Sequence, residues 1–153
     1  GTLDAEGFLR ITGRIKELIA LSNGKKVAPL ALETRLCAAE LVAHAVVHGE
    51  GHPYLVALLA LRWSLVERWQ RTMGIHASRA ELVAHPALRS ALDAEIGRAN
   101  SEVSRPEQVR KYAILPDDLT VEADEITATH KVRRSVVIDR YRPLLESLYL
   151  EPA

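Results

Sequence analysis

Tyr54 to Leu61 reads Tyr-Leu-Val-Ala-Leu-Leu-Ala-Leu, an almost unbroken apolar run. It is the strongest constraint on the fold. A run this short falls far below the roughly 20 residues that a membrane-spanning helix requires. It has no polar face to offer water, so it is expected as a central β-strand covered on both sides. Whatever lies before and after it must supply those two covers.

Upstream, Leu41 to His48 reads as a second strand, joined to the first by the turn Gly49-Glu50-Gly51-His52-Pro53. Before it, Pro29 suits the first turn of a helix whose apolar stripe is Leu32, Leu36 and Ala39. Phe8 to Thr12 reads as a short strand preceded by a turn at Ala5-Glu6-Gly7. Ile15 to Ser22 and Lys25-Lys26-Val27 flank Asn23-Gly24, a strong hairpin signal.

Downstream the pattern turns helical at Arg62. Trp63, Val66, Trp69 and Met73 mark one helical face, which Gly74 is placed to end. Ser78 and Glu81 have the spacing of a capping box. Leu88, Leu92, Ile96 and Ala99 mark another helix after Pro86. Val109 to Leu115 returns to strand, Pro116 to His130 is polar and reads as a long, exposed, flexible loop, and Val137, Tyr141, Leu144 and Leu148 describe a last helix with a kink expected at Pro143. This order predicts a small α+β domain: a hairpin, a central mixed sheet of about three strands, flanking helices, and a helical insertion over 62–105.

The 153 residues suit one domain with a short attached piece of a second, and suffice to bury a core without disulfides or a structural metal. The 20 basic and 20 acidic residues cancel, which gives no basic face for nucleic acid. A single cysteine, Cys37, excludes an internal disulfide and favours a reducing, cytoplasmic setting. It lies on the apolar stripe of the Pro29 helix and is expected as a small buried hydrophobe. The chain opens at Gly1 with no initiator Met and no secretory signal, as a fragment of a longer protein would. His44 and His48 are four apart, but on a strand that spacing spans about 13 Å, too far to share a metal ion. No metal site is expected. The Trp63, Val66, Trp69 face reads as packing.

Three stretches carry a resemblance. Asp4-Ala5-Glu6-Gly7-Phe8-Leu9-Arg10-Ile11-Thr12-Gly13-Arg14-Ile15-Lys16-Glu17 resembles the junction between the large and small domains of acyl-adenylate-forming enzymes. Ser22-Asn23-Gly24-Lys25-Lys26-Val27-Ala28-Pro29 continues it, in wording similar to the long-chain fatty acid–CoA ligases. Ile126-Thr127-Ala128-Thr129-His130-Lys131-Val132-Arg133-Arg134 resembles the loop that presents a catalytic lysine near the C-terminus of these enzymes. Their order and separation also match.

The resemblance implies a mobile C-terminal lid domain, with residues 1–15 the end of the large adenylation domain and 16–153 the lid. It implies a two-step reaction in which a fatty acid carboxylate attacks the α-phosphate of ATP, releasing pyrophosphate and leaving an acyl-adenylate, and the thiol of CoA then attacks the acyl carbonyl and expels AMP. It assigns catalysis to Lys131, contact with ATP or AMP to Arg14, the hinge to Lys16, and the CoA surface to Gly24, Lys25 and Lys26. ATP, Mg2+ and the fatty acid would be held mainly by a large N-terminal domain that these residues do not include, so this piece alone is expected to be inactive. Any peripheral membrane contact would also fall to that domain. Two positions depart from the family: His130 stands where a glycine commonly precedes the lysine, and Ala128 where the long-chain branch often has proline. On that count the loop is expected to be ordered differently. Two other readings compete: a fatty acid–AMP ligase domain serving an acyl carrier protein, and a non-catalytic acyl- or CoA-binding module.

Overall fold

The computed structural model describes residues 2–3, 6–10 and 17–150. The apolar run forms β6 (Leu55–Leu61), in which every residue is buried. It is the middle strand of a three-stranded sheet ordered β5-β6-β7, where β5 is Val42–His48 and β7 is Val109–Ile114. The pair β5–β6 is antiparallel and β6–β7 parallel, so the sheet is mixed as expected. Two short pairs precede it: β1 (Thr2–Leu3) with β2 (Leu9–Arg10), and the hairpin β3 (Ile19–Ala20) with β4 (Lys26–Val27).

Side chains of a strand alternate between faces, and β6 uses both. Leu55, Ala57, Leu59 and Leu61 join a core with α1 (Pro29–Cys37), α2 (Trp63–Thr72), α3 (Arg79–Ala84) and α4 (Pro86–Ser101). Val56, Leu58 and Ala60 face the opposite core, with Val137 of α5 (Arg134–Arg140) and Leu145 and Leu148 of α6 (Arg142–Leu150). The domain is a helix–sheet–helix sandwich.

The stretch expected as an insertion has a structural reason. Parallel neighbours cannot be joined by a tight turn and need a long crossover, and α2 to α4 form the crossover from β6 to β7. Its residues Trp63, Val66, Leu82, Leu88 and Leu92 are all buried. Met73, read as part of the packed face, is exposed instead, because α2 ends there and Gly74 turns away at φ +66°. The capping box at Ser78 and Glu81 forms, with the Ser78 amide donating to Glu81 Oε2 at 2.7 Å. At the C-terminus the expected kink is a break between α5 and α6 at Tyr141. Pro143 lies in the first turn of α6, where its missing N–H costs little.

Cys37 is half-buried against the first core, and burial pushes its thiol up. Among the described residues, no helix is long and apolar enough to cross a membrane.

Candidate functional site

Lys131 sits at the end of a tight turn built by its own loop. The His130 amide donates to the Thr127 carbonyl at 2.8 Å, and the Thr127 amide to the Lys131 carbonyl at 2.9 Å. Thr127 Oγ1 accepts from the Lys131 amide at 3.1 Å and lies 3.0 Å from the Thr129 hydroxyl. A bridge between Ile126 and Val132 closes the turn at its base. His130 takes φ +57°, in the left-handed region that a glycine adopts at no steric cost. The histidine therefore holds a backbone that the family's glycine would also accept.

The loop is not the uniformly exposed segment that its composition suggested. Leu119 and Ile126 are buried in the second core and anchor it at two points. Glu125 is buried as well, at 2% exposure. Its Oε2 accepts from the Thr120 amide at 3.1 Å, and Arg140 lies 3.3 Å from its Oε1. The buried carboxylate closes the loop on itself, while burial, with Glu125 beside it, pushes the Tyr141 phenol up. Beyond the turn, the Arg133 amide donates to the Glu125 carbonyl at 2.8 Å, and its guanidinium pairs with Asp124.

Arg134 ties this assembly to the sheet. Its guanidinium donates to Glu33 of α1 and to the Val47 carbonyl of β5. Glu33 Oε1 also accepts from the Val47 amide at 2.7 Å. A planar guanidinium suits such a fork, since it donates in two directions at once. The Lys131 side chain itself is exposed, and among the described residues no carboxylate pairs with it. The site is an exposed ammonium on a turn anchored to both the loop and the sheet.

The second candidate surface is the β3–β4 hairpin. Gly24 takes φ +82°, and a Cβ there would meet nothing within 4 Å, so the turn and not close packing requires glycine. Asn23 Oδ1 accepts from the Lys25 amide at 3.0 Å. Lys25 is half-buried, donating to Ser104 Oγ at 2.9 Å, whereas Lys26 is exposed. The hairpin rests on the turn after β5: the Ser22 amide donates to the His52 carbonyl at 3.0 Å, and the Gly51 amide to the Ala20 carbonyl at 2.8 Å. Arg14 and Lys16 lie outside the described residues.

Sequence reasoning missed Glu33 and Glu125. Glu125 stands one residue before the third quoted stretch, but nothing in a sequence marks a carboxylate for burial. Glu33 lies 101 residues from Arg134, and only the fold joins them. An open groove of about 340 Å³, lined by Glu40, Arg68, Trp69 and Glu95 among others, includes no residue of the hairpin or of the lysine loop.

Comparisons with known proteins bear on the family and the fold. The family described as AMP-binding enzyme C-terminal domain matches residues 16–152. The chain is 40% identical over 153 residues to the long-chain fatty acid–CoA ligase FadD15 of Mycobacterium tuberculosis, covering 97% of this chain and 25% of that protein. It is 31% identical over 170 residues to the mouse long-chain fatty acid–CoA ligase ACSBG1, covering 99% of this chain and 24% of that one. In fold it is similar to the A domain of a carboxylic acid reductase from Segniliparus rugosus, solved with AMP and a co-purified carboxylic acid. That match has a TM-score of 0.73 at 24% identity, over 97% of this chain and 24% of that one. The chain spans about a quarter of the length of these curated relatives. It belongs to the AMP-binding enzyme C-terminal domain family.

Proposed function

We propose that this chain is the C-terminal domain of an ATP-dependent, AMP-forming long-chain fatty acid–CoA ligase, a cytoplasmic enzyme of fatty acid and lipid metabolism. Residues 1–15 close the large adenylation domain and 16–153 form the lid. The observation that carries the reading is the exposed Lys131, with which no carboxylate among the described residues pairs, on a turn anchored at Ile126, Glu125 and Arg134. In the first step the Lys131 ammonium meets the carboxylate and α-phosphate oxygens as they approach. Two negatively charged reactants repel, and a fixed cation between them lowers the barrier by charge neutralisation and positioning. Arg14 contacts the ATP side through its bidentate fork. The Mg2+ ligand and the acyl pocket belong to the large domain.

In the second step the lid rotates at Lys16, withdrawing Lys131 and presenting the hairpin to CoA. Gly24 leaves open space for the pantetheine arm. Lys26 is free to meet CoA phosphates, while Lys25 must first release Ser104.

The test separates the half-reactions in the full-length parent carrying Lys131→Ala. Pyrophosphate release from ATP and palmitate is expected to fall by about 100- to 1,000-fold, the usual effect of deleting one transition-state charge partner. CoA transfer from supplied palmitoyl-adenylate is expected to stay within a few-fold. If neither step changes, the assignment of Lys131 is wrong. Transfer to an acyl carrier protein in place of CoA would overturn the choice of acceptor alone.

A further inference from the structure

The turn that supports the hairpin also gathers three side chains that the acyl-transfer reading leaves unused. His48 ends β5, His52 lies in the turn after it, and Glu146 stands on α6. One nitrogen from each histidine and one carboxylate oxygen all lie within 4.8 Å of one another, and all three residues are half-buried or partly exposed. We propose that His48, His52 and Glu146 form a binding site for one transition-metal dication of the zinc class.

The donor set suits such an ion. Two imidazoles and one carboxylate are ligands that zinc takes readily, with a fourth position left to water. A tetrahedral ion with bonds of roughly 2.0–2.1 Å holds neighbouring ligand atoms about 3.4 Å apart. His52 Nε2 and Glu146 Oε1 are already 3.4 Å apart. Closing the remaining edges needs a shift of little more than 1 Å in exposed-side rotamers, by the same bond lengths, roughly.

The rings are also held for the purpose. His52 stacks on Tyr149 with centroids 3.7 Å apart and planes 9° from parallel. The Tyr149 hydroxyl donates towards the carbonyls of His48 at 3.3 Å and Tyr54 at 3.2 Å, fixing the stacking partner. The His52 backbone is pinned on both sides, its amide to the Gly49 carbonyl and its carbonyl to the Ser22 amide, each at 3.0 Å. Gly51, at φ +72°, reverses the chain so that the two histidine rings come within 5.7 Å. An extended strand would have carried them apart. Arg134 and Arg142 act on His48 from nearby, but each is paired, with Glu33 and Asp139, which limits their repulsion of a cation.

A bound ion would cross-link the last helix to the turn on which the β3–β4 hairpin rests. The binding claim stands without any assignment of CoA to that hairpin.

The experiment uses full-length, tag-free protein stripped with a chelator. Zn2+ is titrated by calorimetry and Co2+ by visible absorption, with His52→Gln, Glu146→Gln and His48→Ala compared with the parent. One ion per chain that each variant weakens by about 100-fold is expected, with the Co2+ bands of an N/O site lost in parallel and millimolar Mg2+ failing to compete. His44→Ala, outside the cluster, is expected to bind like the parent. Circular dichroism checks folding, and the near-isosteric Glu146→Gln carries the test if a histidine variant does not fold. Zn2+ binding that is absent, or unchanged by Glu146→Gln and His52→Gln, would overturn the proposal and leave the cluster as an ordinary histidine–glutamate pair against a tyrosine.

Discussion

His130 lies at a left-handed φ immediately before the lysine that the site presents. An L-residue there pays a steric cost of roughly 1–2 kcal/mol that glycine escapes, and a β-branched residue pays more. His130→Gly is therefore expected to leave pyrophosphate release near the parental rate. His130→Val is expected to destabilise the turn by roughly 1–2 kcal/mol and to slow adenylation, since Lys131 follows directly. Equal adenylation rates for the glycine and valine variants would show that the turn does not position the lysine. The sequence singles out Lys131 only through the resemblance of its loop to a family motif. The geometry behind it is not legible there. The left-handed φ at His130 and the hydroxyl contacts of Thr127 and Thr129 depend on backbone angles that no residue pattern states. His52 and Glu146 were invisible for another reason: 94 positions separate them, so no spacing could suggest that they meet.

At the scale of elements, the clearest signals were those in which one local force decided the outcome. The apolar run became the middle strand because no other element can bury both faces of so short a segment. The Ser78–Glu81 box and the Asn23-Gly24 turn formed because their hydrogen bonds lie within a few residues. That the 62–105 stretch is a crossover is not legible in the sequence, because strand direction is not written in hydrophobicity; the parallel pairing of β6 with β7 requires a long connection, which here is α2 to α4. The loop from Pro116 to His130 is largely exposed, as its composition suggests. Its buried anchors Leu119 and Ile126 are not legible in the sequence, since two apolar residues in a polar stretch make no periodic pattern. What joins these elements at the site is the Glu33–Arg134–Val47 contact between α1, α5 and β5. Both side chains are at most 20% exposed, so removing one partner strands the other with little water to replace it. Glu33→Ala is expected to cost about 3 kcal/mol, counting the Val47 amide that loses its acceptor. Adenylation should suffer more than CoA transfer, because Arg134 anchors the lysine loop. Denaturant unfolding and the two half-reaction assays measure both, and an equal loss in each half-reaction would reduce the contact to general stability.

At the scale of the whole molecule, the two cores share the three-stranded sheet, since β5, β6 and β7 each give side chains to both. Leu59 of β6 belongs to the core under α1 to α4, and Leu58 to the core under α5 and α6. On the proposed reading, a lid that swings as one body needs its two faces to rise and fall together, and a sheet that lines both cores is a physical way to couple them. Leu92 on α4 and Leu145 on α6 are both fully buried, one in each core. Truncating either to alanine removes comparable apolar volume, and each is expected to destabilise by roughly 2–5 kcal/mol. The informative quantity is where the loss is felt. If the sandwich opens as one unit, native-state hydrogen exchange on the full-length protein will show β6 amides losing the same protection in either variant. The amides of α4 and α6 will then follow β6 in both. Loss of protection confined to α2 to α4 in Leu92→Ala would instead make the crossover a separately melting layer, and the rigid lid would shrink to the sheet with α5 and α6.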